Sequence, residues 1–193
     1  MQKYQYHDVN TTSKFVEDGI QVVKTNKIYE FDENTYTRIE GSSFHNGEIK
    51  VKVKSNLLKD APDFARGFIG IAFRIHDDAE FECFYVRPTN GRCEDEVRKR
   101  RACQYFSYPT YTFDYFRENG ISDYENGADI GLDEWIDLKI IVEDEKASLY
   151  VNGVCTLNVE KMFHGVNSHG SVGLFVDIGT EGVYKDLEII CKD

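Results

Sequence analysis

The residues best equipped for chemistry lie in one stretch of the chain: Arg87, Asn90, Arg92, Asp95, Arg98, Arg101, Gln104, Tyr105 and Tyr108. Recognition of a sugar needs an aromatic face over the apolar side of the ring. It also needs planar side chains that hydrogen-bond adjacent hydroxyls. The stretch supplies both, with Arg87, Asn90, Arg92, Arg98, Arg101 and Gln104 as polar groups and Tyr105 and Tyr108 as stacking faces. So many guanidinium groups would equally suit a carboxylate or phosphate on the ligand. The competing reading of the same residues is a solvated, salt-bridged flap whose aromatics fold down onto the protein.

Other candidates are thinner. A carboxylate such as Asp95 or Glu181 could act as a base, with an arginine stabilising developing negative charge. His7, His45, His76, His164 and His169 form no close metal-binding spacing, and nothing selects His45 or His169 as a general base. No nucleophile elbow, phosphate-binding loop or dinucleotide fingerprint occurs. Arg98-Lys99-Arg100-Arg101 follows directly on Glu94-Asp95-Glu96, so it reads as a charge-balanced segment and not as a nucleic-acid patch. Trp135, the single tryptophan, falls out of phase with Ile136, Leu138 and Ile140. It is either a platform on the outside of a sheet or a cap on the core edge.

The elements that must position these residues alternate with period two. In Gly47 to Lys54, Ile49, Val51 and Val53 share one face and the charges share the other, as in a half-buried strand. Ile136, Leu138, Ile140 and Val142 repeat the pattern, as do Ala147, Leu149 and Val151. Asn152-Gly153 marks a tight turn before Val154. Val172 to Ile178 and Val183 to Ile190 are strand-like too. Gly67 to Ile75 and Phe81 to Val86 are apolar on both phases, as expected of inner strands covered on both faces. Ten or more short strands without a convincing helical period predict an all-β antiparallel sandwich of jelly-roll type, one domain over residues 1–193. From about 87 to 131 the alternation dissolves into charge and aromatics, which predicts a long functional loop. Two turns of helix over Arg92 to Arg101 would carry too little apolar surface to pack.

Composition bounds the class. The chain has 193 residues and a formal net charge of −11. That sign disfavours wholesale binding to nucleic acid or an anionic membrane. Cys83, Cys93, Cys103, Cys155 and Cys191 are odd in number and form no close pair. Free thiols and a cytoplasmic location are therefore expected, and no apolar run is long enough for a secretory signal or a membrane span.

Phe84-Tyr85-Val86-Arg87-Pro88-Thr89-Asn90-Gly91-Arg92, followed by Gln104-Tyr105-Phe106-Ser107-Tyr108-Pro109, resembles domains of the concanavalin A-like lectin/glucanase superfamily, nearest to 3-keto-disaccharide hydrolase-like domains. Gly47 to Val51, Glu134 to Gly153 and Gly173 to Leu187 extend the resemblance over roughly residues 44 to 190. It implies two curved sheets whose concave face binds a carbohydrate or glycoside-like ligand. It also implies a structural calcium as the possible cofactor, with Asp186 and Gly47 or its neighbours as the matching pair. The Glu-x-Asp-x-x-Glu signature of family 16 glucanases is missing, so the two carboxyls about 5 Å apart that a retaining glycosidase needs are not supplied. Three functions follow as expectations: saccharide binding gated by residues 87–117, a hydrolase or lyase acting on a modified glycoside, and a protein-interaction module. In the last, the aromatic segment 105–116 would pack on another chain or a second copy.

Overall fold

The computed structural model describes residues 1–25 and 29–192. Along the chain run β1 (Tyr6–Val9), β2 (Thr11–Val16), β3 (Gly19–Lys24), β4 (Tyr36–Ile39), β5 (Gly47–Leu57), β6 (Ile69–His76) and β7 (Glu80–Val86). Two one-turn helices, α1 (Pro88–Gly91) and α2 (Glu96–Lys99), precede β8 (Cys103–Tyr108), α3 (Phe113–Glu118) and β9 (Glu125–Asn126). The chain continues through β10 (Ile136–Glu143), β11 (Lys146–Val151), β12 (Val154–Val159), β13 (Ser171–Val176) and β14 (Thr180–Cys191).

These strands form two antiparallel seven-stranded sheets, as the alternation predicts. The first has the order β1-β4-β13-β6-β7-β8-β9 and the second β12-β11-β10-β5-β14-β3-β2. In β5, Ile49, Val51 and Val53 are buried against the first sheet, and Lys50, Lys52 and Lys54 face outward. Each such side chain contributes about 1.5–3 kcal/mol on burial. A slip of one residue would expose the whole set, which pins the register. The turn at Asn152-Gly153 has positive φ at both residues, 49° and 82°. That backbone twist suits a two-residue hairpin, and Asn-Gly adopts it at low cost.

The first sheet is covered on both faces. Ile69, Ile71, Phe73, Phe84 and Val86 pack between the sheets. Ala72, Phe81, Cys83, Tyr85, Phe106 and Phe175 make a second cluster on the outer face. Gly70 is the second residue of β6, where a Cβ would sit 2.1 Å from the carbonyl oxygen of Phe84.

The segment 87–131 is not the open loop that its composition predicts. It contains β8, which pairs along its whole length with β7, from Phe81↔Tyr108 to Val86↔Cys103. Alternation fails there because both faces of β8 are buried, so neither phase is polar. The helical turns are only four to six residues long, and Asp95 caps α2, so none needs an apolar face of its own. The aromatics fold inward: Tyr111 stacks on Phe163 at 4.0 Å, and Phe116 is buried. Tyr105, Phe106 and Phe116 are buried, whereas Tyr108, Tyr111, Phe113 and Tyr115 are partly exposed. The five cysteines are free thiols. No helix among the described residues is long and apolar enough to cross a membrane.

Candidate functional site

At one end of the first sheet the connection from β7 to β8 closes over a cavity of about 220 Å³. Its polar lining is Arg66, Arg87, Asn90, Arg98, Arg101 and Arg117, with Tyr85 from β7. Its apolar lining is Phe31, Phe64, Phe68 and Phe113. The Phe31 ring meets Phe64, Phe68 and Phe113 edge-on at 5.4, 5.4 and 5.5 Å. Such contacts hold ring orientations that area burial alone leaves free.

Arg87 anchors the site. The residue is 4% exposed, and its guanidinium donates to the Arg101 carbonyl at 2.8 Å, the Tyr85 hydroxyl at 2.8 Å and Gln104 Oε1 at 3.2 Å. A planar fork can satisfy three acceptors in this way, and an ammonium cannot hold the same geometry. Asn90 accepts from Arg98 Nε at 3.1 Å, which aims Arg98 from α2. Asp95 caps α2, accepting from the backbone amides of Val97 and Arg98. Those amides hold its carboxyl below the usual carboxylate range. Glu125 draws three guanidinium groups together, with Arg117 at 3.0 Å, Arg101 at 3.3 Å and Arg87 at 3.9 Å. A wider groove of about 500 Å³ adjoins the cavity and shares Arg101 and Arg117 with it.

Beneath the aromatic wall lies a buried charged network. Lys24 Nζ donates to Asp177 Oδ1 at 2.8 Å, and the Asp32 amide donates to Asp177 Oδ2 at 3.0 Å. Asp32 Oδ2 in turn accepts from the Phe113 amide at 2.8 Å, so Asp177 holds the backbone beside Phe31 and Asp32 holds that of Phe113. Asp32 Oδ1 is buried without a hydrogen-bond partner among the described residues. Burial first, and then the neighbouring Asp177, push the Asp32 carboxyl up to about 7, against the opposing pull of the Phe113 amide, Arg87 and Tyr85.

Of the residues singled out from sequence, Arg87, Asn90, Arg98 and Arg101 meet around this cavity. The run Arg98-Lys99-Arg100-Arg101 is divided: its first and last members line the cavity, while Lys99 and Arg100 are exposed. Gln104 is buried beneath the cavity and orients Arg87. Arg92 faces elsewhere, held by Asp129 at 2.6 Å and by Glu134 through two bonds of 2.9 Å. Tyr105 corrects the expectation of a stacking face. It is fully buried, packed on Phe84 and Tyr124, with its hydroxyl donated to Glu82. Tyr108 stacks on Phe81 at 4.9 Å, outside the cavity lining.

The candidate bases do not converge either. Asp95 is the α2 cap, and Glu181 alternates with inward-facing Gly182 and Tyr184, which turns it to the outer face of the second sheet. Asp186 sits in the bulge of β14, whereas Gly47 lies opposite Cys191 at the end of that strand. The groove around Asp186 sets Lys50, Lys52 and Lys139 against Asp137, Asp186 and Glu188. Among the described residues no group of three His, Cys, Asp or Glu could hold a metal ion. A calcium site needs a cage of six to eight hard oxygens without competing cations, and this donor set does not fit one. Trp135 lies on the outer face under Lys185 at 4.0 Å and Lys54 at 4.8 Å.

Arg66, Arg117, Tyr85, Asp32 and the four phenylalanines were not legible as site residues. Arg117 alone carried a signal, as the cation that ends the aromatic run from Tyr111 to Phe116.

No family model matches the chain, and no curated protein matches it in sequence. Solved structures do match in shape. A carbohydrate-binding module, CBM66 from Bacillus subtilis, superposes with a TM-score of 0.66 at 14% identity, covering 94% of this chain and 92% of that one. The fold is a concanavalin A-like lectin sandwich. A Bacillus subtilis protein of unknown function with a galectin-like fold superposes at 0.58 with 12% identity, over 99% of this chain and 91% of that one. The Emp47p carbohydrate recognition domain superposes at 0.51 with 7% identity, over 97% and 88%. At such identities the likeness concerns the sandwich alone, and the site rests on its own geometry.

Proposed function

We propose that the arginine-lined cavity binds a single terminal sugar ring of a saccharide or glycoside. The observation that carries this reading is the pairing of a four-phenylalanine wall with a cluster of oriented planar donors, at one end of the first sheet of a lectin-like sandwich. The wall covers an apolar ring face, and Arg87, Asn90 and Arg101 reach its oxygens. About 220 Å³ falls below the ~300–1,000 Å³ typical of sites for drug-sized ligands, which suits one ring and not a chain. The adjoining groove past Arg101 and Arg117 would take the remainder of the ligand. The described relatives include a carbohydrate-binding module and a carbohydrate recognition domain, in keeping with this reading.

Thermal shift against a panel of mono- and disaccharides, uronic acids, sugar phosphates and keto-sugars tests it, since a ligand of the native state raises the melting temperature. The control is the double variant Phe64→Ala with Arg101→Ala. Phe64 is half exposed, so its loss should spare the fold. A hit abolished in the double variant supports the site. A panel silent at millimolar concentration, or a hit that survives both changes, removes the cavity from consideration.

A further inference from the structure

The cavity is unbalanced in its hydrogen bonding. Arginine only donates, and five arginines line the cavity while no carboxylate does. Each hydroxyl of a neutral sugar brings a proton that must be accepted. The lining acceptors are few, and the chief ones are taken. Asn90 Oδ1 already receives Arg98, and the Tyr85 hydroxyl already receives Arg87. An oxyanion is the complement of such a surface, because it accepts at every lone pair and donates nothing.

Charge points the same way. Glu125 compensates Arg87, Arg101 and Arg117, but among the described residues no ion pair joins Arg66 or Arg98 to a carboxylate. Neutral acceptors orient both instead. Arg66 Nη1 donates to the carbonyls of Asp63 at 2.7 Å and Ala65 at 2.9 Å. Arg98 Nε donates to Asn90, and Asp95, its near neighbour in the chain, uses its carboxylate to cap α2. Burial, then the charges of Arg98 and Arg87, depress the Arg66 guanidinium below its ordinary value. Two half-buried cations thus face one small cavity with no carboxylate between them among the described residues, in a protein of net charge −11. Holding like charges together this way is costly unless an anion enters.

Resting on the saccharide reading above, we infer that the ring is an acidic one. Its oxyanion, a carboxylate or a phosphate, is held by Arg66 and Arg98, while the ring lies against Phe31, Phe64, Phe68 and Phe113. The anion supplies the missing counter-charge, and the aromatic wall makes the site one for an acidic sugar in preference to a bare anion.

Titration calorimetry on the full chain separates the outcomes. The probes are methyl glucuronide and methyl galacturonide, glucose 6-phosphate and galactose 6-phosphate, the neutral methyl glucoside and galactoside, and inorganic phosphate alone. The expected result is at least tenfold tighter binding of an acidic ring than of its neutral counterpart. Whether the uronide or the sugar phosphate responds identifies the oxyanion. Arg66→Gln and Arg98→Gln should each weaken that ligand at least tenfold without moving the melting temperature. If either variant melts early, Arg66→Lys and Arg98→Lys keep the charge and should retain part of the preference. Equal binding of acidic and neutral rings, lost in Phe64→Ala, overturns the inference and leaves the saccharide site standing. Inorganic phosphate binding as tightly as the sugar phosphates also overturns it. No binding by any probe overturns both.

Discussion

Replacing Asp32 by Asn should stabilise the protein, and more so as pH rises. The buried carboxyl is carried from an ordinary 3.8 to about 7 in the folded state. Between those values the native protein keeps a proton that the unfolded chain releases. By linkage, native stability therefore falls as pH rises through this window and levels off above about 7. At ~1.4 kcal/mol per pH unit, the full effect is at most about 4 kcal/mol. The amide of Asn keeps an oxygen for the Phe113 N–H and carries no charge beside Asp177. Lys24, Arg87, Tyr85 and Cys83, the other titratable groups that face or feel Asp32, are left in place. Urea denaturation of both proteins at pH 5, 6, 7 and 8 measures the effect, and subtracting the two profiles removes groups common to both. The advantage of Asp32→Asn should widen by about 3 kcal/mol from pH 5 to pH 8. Parallel profiles, or an advantage that shrinks as pH rises, would mean that Asp32 titrates normally and that its burial imposes no such penalty.

Other perturbations separate the roles of neighbouring residues. Arg87→Lys removes the fork that serves the Arg101 carbonyl, Tyr85 and Gln104, and should cost about 2–3 kcal/mol in urea denaturation. A loss below about 0.5 kcal/mol would show those acceptors to be indifferent to it. Gly70→Ala forces a methyl group onto the Phe84 carbonyl and should abolish folding or lower the melting temperature by well over 10 °C. A near-native melt would mean β6 and β7 can separate. Chelation with EDTA should leave the melting temperature unchanged, because lysines crowd Asp186. A fall of several degrees, reversed by calcium, would reveal a metal site.

The sandwich was legible because period-two alternation is a local property. β5, β10, β11 and β14 each carry one buried and one solvated face, and the residues in sequence show it directly. The arginine-rich connection was legible as a polar, cationic cluster for a similar reason, since Arg87, Asn90, Arg98 and Arg101, which line one cavity, fall within one short stretch. β8 was not legible, because a strand buried on both faces has no alternation to read. Tyr105 was misplaced as a consequence: its composition suits a sugar platform, but its phase in β8 turns it between the sheets.

By itself, then, the sequence determined the sandwich, the buried phase of its alternating strands and the presence of one cationic segment, all of which follow from residue types over short stretches. Only the tertiary structure decided what that segment faces. Phe31, Phe64, Arg66 and Phe68 lie before β7, Phe113 and Arg117 after β8, and Asp177 beyond β13. Antiparallel pairing and the Asp177–Asp32–Phe113 bonds bring them to one end of the first sheet. No local pattern records this, because the hydrogen bonds that assemble the cavity join residues 81 and 145 positions apart.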